Sequence, residues 1–168
     1  MNPHPAIQHK TIEQRCACDE MSPLDSATEI ENCALRLLAQ RDHTRRELMR
    51  KLTQRGFIEN AIDPVLDQFE TQGFLNELRF AECYVTERMN KGFGVLRIRG
   101  ELREKGLSGT LIVQEIEPVK YDWAECIAAA HQRRFGNTPP TDRADYGRRA
   151  RFLEQRGFPT DLIVRVLR

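Results

Sequence analysis

The residues with the clearest capacity for chemistry are Cys16 and Cys18, which form the stretch CAC, with His9 nearby. Thiolate and imidazole groups are ligands that zinc prefers, so these residues could supply half of a metal site. A structural zinc site usually takes two spaced pairs of ligands, and no second pair accompanies the first. We therefore predict no metal site and no cofactor. The five cysteines are scattered, which favours reduced thiols over a disulfide framework.

Histidine could also serve as a general base in catalysis. His43 stands beside Asp42, a pattern more typical of a loop residue than of a base, and His131 stands alone. The chain has no HExxH motif, no phosphate-binding P-loop and no nucleophile elbow, and the glycines of GFGVLRIRG are too widely spaced for a dinucleotide fingerprint. We predict that the protein is not an enzyme.

Basic side chains at helical spacing offer binding rather than catalysis. Residues 45–56 carry a net charge of +4 and residues 58–72 a net charge of −4, while the whole chain carries only +1. So small a total disfavours a protein that binds nucleic acid by bulk charge. Alternating charge fits either a solvated face or a binding surface. Its recurrence along the chain favours the binding surface.

The basic segments belong to an internal repeat. The stretches RRELMRKLTQRGF, RIRGELREKGL and RRARFLEQRGF end at Phe57, Leu107 and Phe158, and each predicts a short helix that is closed by a glycine. Alignment on these glycines superimposes two sets of apolar residues, which are Leu52, Leu102 and Leu153, and Ile62, Ile112 and Ile163. Three copies of one unit are therefore predicted.

Each unit shows the apolar periodicity of three amphipathic helices. In the first unit, Ser26 or Thr28 is the expected start of the first helix, and Thr44 with Glu47 forms a capping box for the second. Pro64 is expected near the first turn of the third helix and could shift its start. In the third unit Arg149 replaces the apolar residue of the other copies, so that unit is expected to be looser, with Phe152 supplying the missing contact.

These observations predict an all-α protein of tandem three-helix bundles that form an elongated, solenoid-like body. The expected divisions are a flexible N-terminal extension at 1–25 and repeats at 26–75, 76–119 and 120–168. No stretch approaches the roughly 18 apolar residues of a membrane span, and the N-terminus lacks the apolar core of a signal peptide. The protein is therefore expected in the cytoplasm.

The motif I-x-x-E-L-x-x-K-G-L at residues 98–107, with RFAECYV at residues 79–85 before it, resembles the RecX family. ALRLLAQRDHTRRELMRKL in the first unit does so too, and the resemblance extends from about Ala27 to the C-terminus. It implies tandem three-helix repeats in a curved, elongated molecule, and a regulatory protein that binds the RecA recombinase filament and restrains its activity. Gly100 departs from good helix-forming sequence, and a close contact could explain it.

Partner binding is predicted on the second helices of the first two units, and the protein is expected to be a monomer. Helical geometry turns these side chains away from the buried leucines, and they would contact the RecA filament or DNA phosphates. One basic patch of Lys91, Arg97, Arg99 and Arg103 is expected in the middle unit, bordered by Tyr84 and Arg88. The alternative function is a direct DNA-binding helical module that acts without RecA. The predicted contact residues are Tyr84, Arg88, Lys91, Arg97, Arg99, Arg103 and Lys105, with Arg46 and Arg50 in the first unit.

Overall fold

The computed structural model describes residues 23–116 and 121–168, and the regular structure in these ranges is entirely helical. None of the helices in these ranges is both long and apolar enough to cross a membrane. The predicted all-α class is therefore confirmed. The helices are α1 (Pro23–Leu38), α2 (Arg45–Thr53), α3 (Glu59–Thr71), α4 (Glu77–Asn90), α5 (Val95–Glu104), α6 (Gly109–Ile116), α7 (Trp123–Phe135), α8 (Arg143–Gln155) and α9 (Thr160–Leu167).

The helices pack in three successive groups of three, each around its own apolar core. We refer to α1–α3, α4–α6 and α7–α9 as the first, second and third repeats. The aligned leucines of the second helices are completely buried. The aligned isoleucines of the third helices are at most 2% exposed. The predicted repeat of the core is therefore confirmed for Leu52, Leu102 and Leu153, and for Ile62, Ile112 and Ile163.

One expected helix start and one expected proline position differ from the structure. Helix α1 begins at Pro23 rather than at Ser26 or Thr28, since proline suits the first helical position, where no backbone N–H is needed. The expected boundary at residue 25/26 thus falls inside α1. Helix α3 begins at Glu59, and Pro64 lies in its second turn without shifting that start. The start of α2 is confirmed, because the Thr44 side chain accepts a hydrogen bond from the Glu47 N–H.

A buried arginine stabilises the third repeat, which was expected to be looser because of it. Arg149 is only 4% exposed. Its Nε donates to Asp145 at 2.9 Å, and its Nη1 donates to the Thr138 carbonyl at 2.6 Å. A buried charge is tolerated when such partners surround it, so α8 is tied to the loop before it. Phe152 is half-buried, packs against the core of the third repeat and lies edge-on to Phe135, so it supplies the expected apolar contact.

Neighbouring repeats join in the same way at both junctions. The C-terminal end of the second helix in one repeat contacts the N-terminal end of the second helix in the preceding repeat. The Lys105 carbonyl accepts a hydrogen bond from the Thr44 hydroxyl at 2.7 Å. At the next junction the Arg156 carbonyl accepts from the Gly94 N–H at 2.7 Å. Gly106 and Gly157, which follow these carbonyls, have φ of +93° and +86°. Gly100, by contrast, has open space where a side chain would be, so the expected close contact there is wrong.

The junction predicts unequal costs for the same substitution at two equivalent glycines. A Cβ atom at Gly157 would overlap Arg97, whereas one at Gly56 would meet nothing within 4 Å, although both residues have positive φ. Gly56→Ala should cost about 1–2 kcal/mol for the left-handed backbone alone. Gly157→Ala should cost clearly more, because the second and third repeats must also separate. Thermal melting of the two variants tests this, and equal losses would contradict the junction.

Candidate functional site

A groove of about 850 Å³ lies where the first and second repeats meet. Helix α2 forms one wall, and α4 and α5 contribute the other. The groove brings together residues that are far apart in sequence but were predicted together as contact residues. Four of the nine predicted residues line it, namely Arg46, Arg50, Tyr84 and Lys105.

Glu47 is the central carboxylate of this groove and holds the two repeats together. It lies on α2 with its side chain 10% exposed. Oε1 accepts a hydrogen bond from Lys105 Nζ of the second repeat at 2.6 Å. Oε2 lies 3.0 Å from Arg41 Nη1 and 3.1 Å from His43 Nδ1. Thr44 forms its half of the predicted capping box, whereas the Glu47 carboxylate forms an ion pair between the repeats instead.

The environment of Glu47 strongly favours its ionised form. Burial alone would raise the pKa of this carboxyl, but the hydrogen bonds from Lys105, Arg41 and His43 outweigh burial and lower the pKa from 4.5 to about 2. Burial is also the main reason that the pKa of His43 is lowered. The carboxylate is thus ionised and its neighbouring histidine neutral at neutral pH.

The pKa of Glu47 predicts a pH-dependent contribution to stability. Because the folded pKa is depressed, the contribution is complete above about pH 4.5 and disappears as the pH falls through about 2. Glu47→Gln should therefore lower the free energy of unfolding by up to about 3 kcal/mol at pH 7. Melting curves of both proteins between pH 7 and pH 2 should converge at the acid end. A stability difference that does not change with pH would contradict this role.

A second carboxylate, Glu101 on α5, contacts Tyr84 and two further predicted residues, Arg88 and Arg97. The Tyr84 hydroxyl donates to it at 3.0 Å, Arg97 Nε donates at 3.0 Å, and Arg88 forms a short ion pair with it. Burial would raise the pKa of Glu101, yet these donors lower it. Burial and the bond to Glu101 raise the pKa of Tyr84 to about 12, so the hydroxyl keeps its proton.

Phe93 organises the arginines at the next junction. The guanidinium groups of Arg88 and Arg97 lie 4.0 and 4.4 Å from the centre of its ring, which are cation–π distances. Arg156 of the third repeat lies 5.2 Å from the same ring and donates to the Lys91 carbonyl at 2.8 Å. Much of the basic character of the middle repeat is therefore used to join the second repeat to the third.

The structure does not form the single basic patch that was predicted for the middle repeat. Arg97 turns toward Glu101, whereas Arg99, two residues later, lines a different groove between the second and third repeats. Two residues rotate a helix by about 200°, so their side chains leave α5 on opposite sides. Arg103 is exposed, and Lys91 is exposed and paired with Glu87.

Two cations of the first groove have no carboxylate partner in the part of the chain that the structure describes. Arg46 and Arg50 are exposed on α2, one turn apart, as the sequence predicted. Lys105 in the same groove is held by Glu47. Sequence reasoning missed the organising roles of Glu47 and Glu101. The only local signal was an acidic residue four positions from a basic one, as in Arg97 and Glu101.

The residues considered for catalysis or metal binding are either buried beside charged neighbours or lie outside the described residues. His43 is in a loop, as predicted, but is buried beside Glu47, and His131 is buried 3.3 Å from Arg149 Nη1. In the ranges that the structure describes, no three His, Cys, Asp or Glu residues cluster as metal ligands. Cys16, Cys18 and His9 lie outside those ranges.

Comparison with protein families identifies all three repeats. Residues 32–69 match the first three-helix domain of RecX, residues 76–114 match the second, and residues 121–167 match the third. The fold is also that of solved RecX structures. The crystal structure of RecX from Lactobacillus salivarius has a TM-score of 0.72 at 21% identity, with 85% of this chain and 95% of that chain covered.

Relatives named regulatory protein RecX give the same assignment at higher identity. Regulatory protein RecX of Halorhodospira halophila is 42% identical over 144 residues, which cover 85% of this chain and 89% of the relative. Regulatory protein RecX of Pseudomonas putida (strain GB-1) is 40% identical over 86% of this chain and 92% of its own length. The three family matches together include all three repeats. The chain therefore belongs to the RecX family of regulatory proteins.

Proposed function

We propose that this protein binds the RecA filament on DNA and restrains its recombinase and ATPase activity, with the groove between the first and second repeats as its docking surface. Family membership supports a regulatory role rather than an enzymatic one. The observation that carries the docking proposal is the convergence of Arg46, Arg50, Tyr84 and Lys105 on one groove.

The charge of the groove favours a protein surface over a DNA backbone as its partner. Its three basic residues share the lining with Glu47, Glu59, Glu101 and Glu104. A DNA backbone is uniformly negative, and affinity for it rises with the number of phosphates that unpaired cations neutralise. A mixed surface instead suits a partner with both signs of charge, where complementary pairs set orientation and specificity.

Direct DNA binding is therefore proposed only as a secondary, weak contribution. Arg103 is exposed with no carboxylate partner in the described residues, and it could contact phosphates once the filament holds the protein nearby. The junctions and the groove are each complete within one chain, which supports action as a monomer. A RecA filament forms on DNA, so we also propose that the protein acts in the cytoplasm.

Binding measurements on two targets separate these functions. The protein should bind RecA assembled on single-stranded DNA, and the same DNA without RecA should bind it far more weakly and only at low salt. Its addition should slow the DNA-dependent ATPase of RecA. Equal affinity for bare DNA and for the filament would favour the DNA-binding module instead.

A further inference from the structure

A second groove, of about 600 Å³, lies between the second and third repeats, on the other side of α5 from the docking groove. It is bounded by α5, the end of α6 and the beginnings of α7 and α9. Its size is that of a pocket for a small ligand or a single large side chain. Most of its wall is apolar, formed mainly by Val95, Ile116, Tyr121, Trp123, Pro159 and Leu162.

Two buried hydrogen-bond donors in this wall lack acceptors. Arg99 Nε and Trp123 Nε1 are hidden from solvent, and neither has a hydrogen-bond partner in the described residues. The Trp123 residue is 6% exposed. Buried donors are almost always paired in folded proteins, because an unpaired one has lost its bonds to water without replacement. Both residues line the groove, so an occupant that shifts these side chains slightly can supply the acceptors.

The charges of the groove define the acceptor further. Arg99 has no carboxylate within ion-pair distance in the part of the chain that is described, so its guanidinium can receive an anion. Asp122 and Asp161 also line the groove, but both lie at helix starts, where the dipole favours an acidic group. Their charge would repel a phosphate with two negative charges more strongly than a carboxylate with one.

We infer that this groove binds a peptide segment that presents an aromatic or aliphatic side chain next to a carboxylate. The side chain packs against the apolar wall, the carboxylate pairs with Arg99, and a peptide carbonyl accepts the indole N–H of Trp123. The apolar residues of the wall recognise the side chain, and Arg99 recognises the carboxylate. The inference uses neither the docking groove nor the identity of the filament, so it is independent of the proposed function.

The position of Trp123 provides a direct test, since it is the only tryptophan in the chain. N-acetyl-phenylalanine supplies the proposed elements, and N-acetyl-phenylalaninamide differs from it only in lacking the carboxylate. Titration of the full chain with each probe, followed by the indole N–H resonance and by fluorescence, should show saturable binding that is at least about tenfold tighter for the acid.

Variants locate the source of this preference. Arg99→Gln should bring the affinities of the acid and the amide to within about twofold. Arg134→Gln, an exposed cation near the far end of α7, should leave the tenfold preference intact. An indole resonance that neither probe moves, or equal binding of acid and amide to the wild-type protein, would overturn the inference. Neither outcome would affect the proposed function, since RecA is absent from the experiment.

Discussion

The double variant Arg46→Glu, Arg50→Glu is expected to keep its fold and to lose at least about tenfold in affinity for the RecA filament. Both side chains are exposed in the docking groove and have no carboxylate partner in the described structure. Reversal of two adjacent charges replaces attraction by repulsion toward any acidic partner, which changes affinity by more than the loss of one surface pair. Restraint of the RecA ATPase should fall in parallel.

The fold should tolerate this variant because glutamate keeps the carbons that arginine uses at the junction. Gly106 packs against the Cβ, Cγ and Cδ atoms of Arg46, and glutamate has all three. The matched control is Arg134→Glu, Arg151→Glu, which reverses two exposed arginines of the third repeat outside the groove. The difference in filament affinity between the variant and the wild type should become smaller as the salt concentration rises, because screening weakens both attraction and repulsion. Undiminished restraint at low salt would refute the docking groove.

Other charge reversals would be less informative, for reasons that only the structure provides. Arg97 holds Glu101 and packs beside Gly157, so its reversal would disturb the junction with the third repeat. Reversal of the acidic face of α3 would also affect the fold. Arg45 bridges that face through ion pairs of 2.8 to 3.2 Å with Asp63, Asp67 and Glu70.

Leu102→Asp is expected to unfold the second repeat and to remove much of the helical signal. Leu102 is completely buried in the core that α4, α5 and α6 share. An aspartate there would place an unpaired charge in an apolar site, at a cost of about 4 kcal/mol or more. A three-helix repeat is only marginally stable by itself, and its unfolding also removes the interfaces that stabilise its neighbours. Circular dichroism and thermal melting measure the loss.

Leu96→Asp is the matched control on the same helix. Its side chain is 51% exposed, so the same substitution removes little buried apolar area. Its backbone N–H, which donates to the Gly157 carbonyl, is unchanged. The melting temperature of this variant should lie close to that of the wild type. Similar melting temperatures for the two variants would mean that Leu102 is not a core residue.

Local pattern was sufficient to predict the repeat and its cores. The positions of Leu52, Leu102 and Leu153 follow from a helical period and from a glycine with positive φ, and both signals reside within about ten residues. Thr44 was predictable as a cap for the same reason. The start at Pro23 was missed because two later capping patterns looked stronger than a proline at the first helical position.

The features that could not be predicted from the sequence depend on contacts between residues that are distant along the chain. Glu47 and Lys105 are 58 residues apart, and their ion pair depends on how the repeats meet. The direction of Arg99 likewise depends on which side of α5 faces the third repeat. The burial of Arg149 could not be predicted from its residue type, because it depends on how the loop before α8 brings the Thr138 carbonyl to the guanidinium group.

Photo-crosslinking tests the docking proposal most directly. A photoreactive amino acid at Gln54, which lines the docking groove, can be compared with one at Gln114, an exposed residue of α6 outside it. With RecA assembled on single-stranded DNA, irradiation should join the protein to RecA from position 54 and not from position 114. Crosslinks to RecA from position 114 with none from position 54 would contradict the proposal.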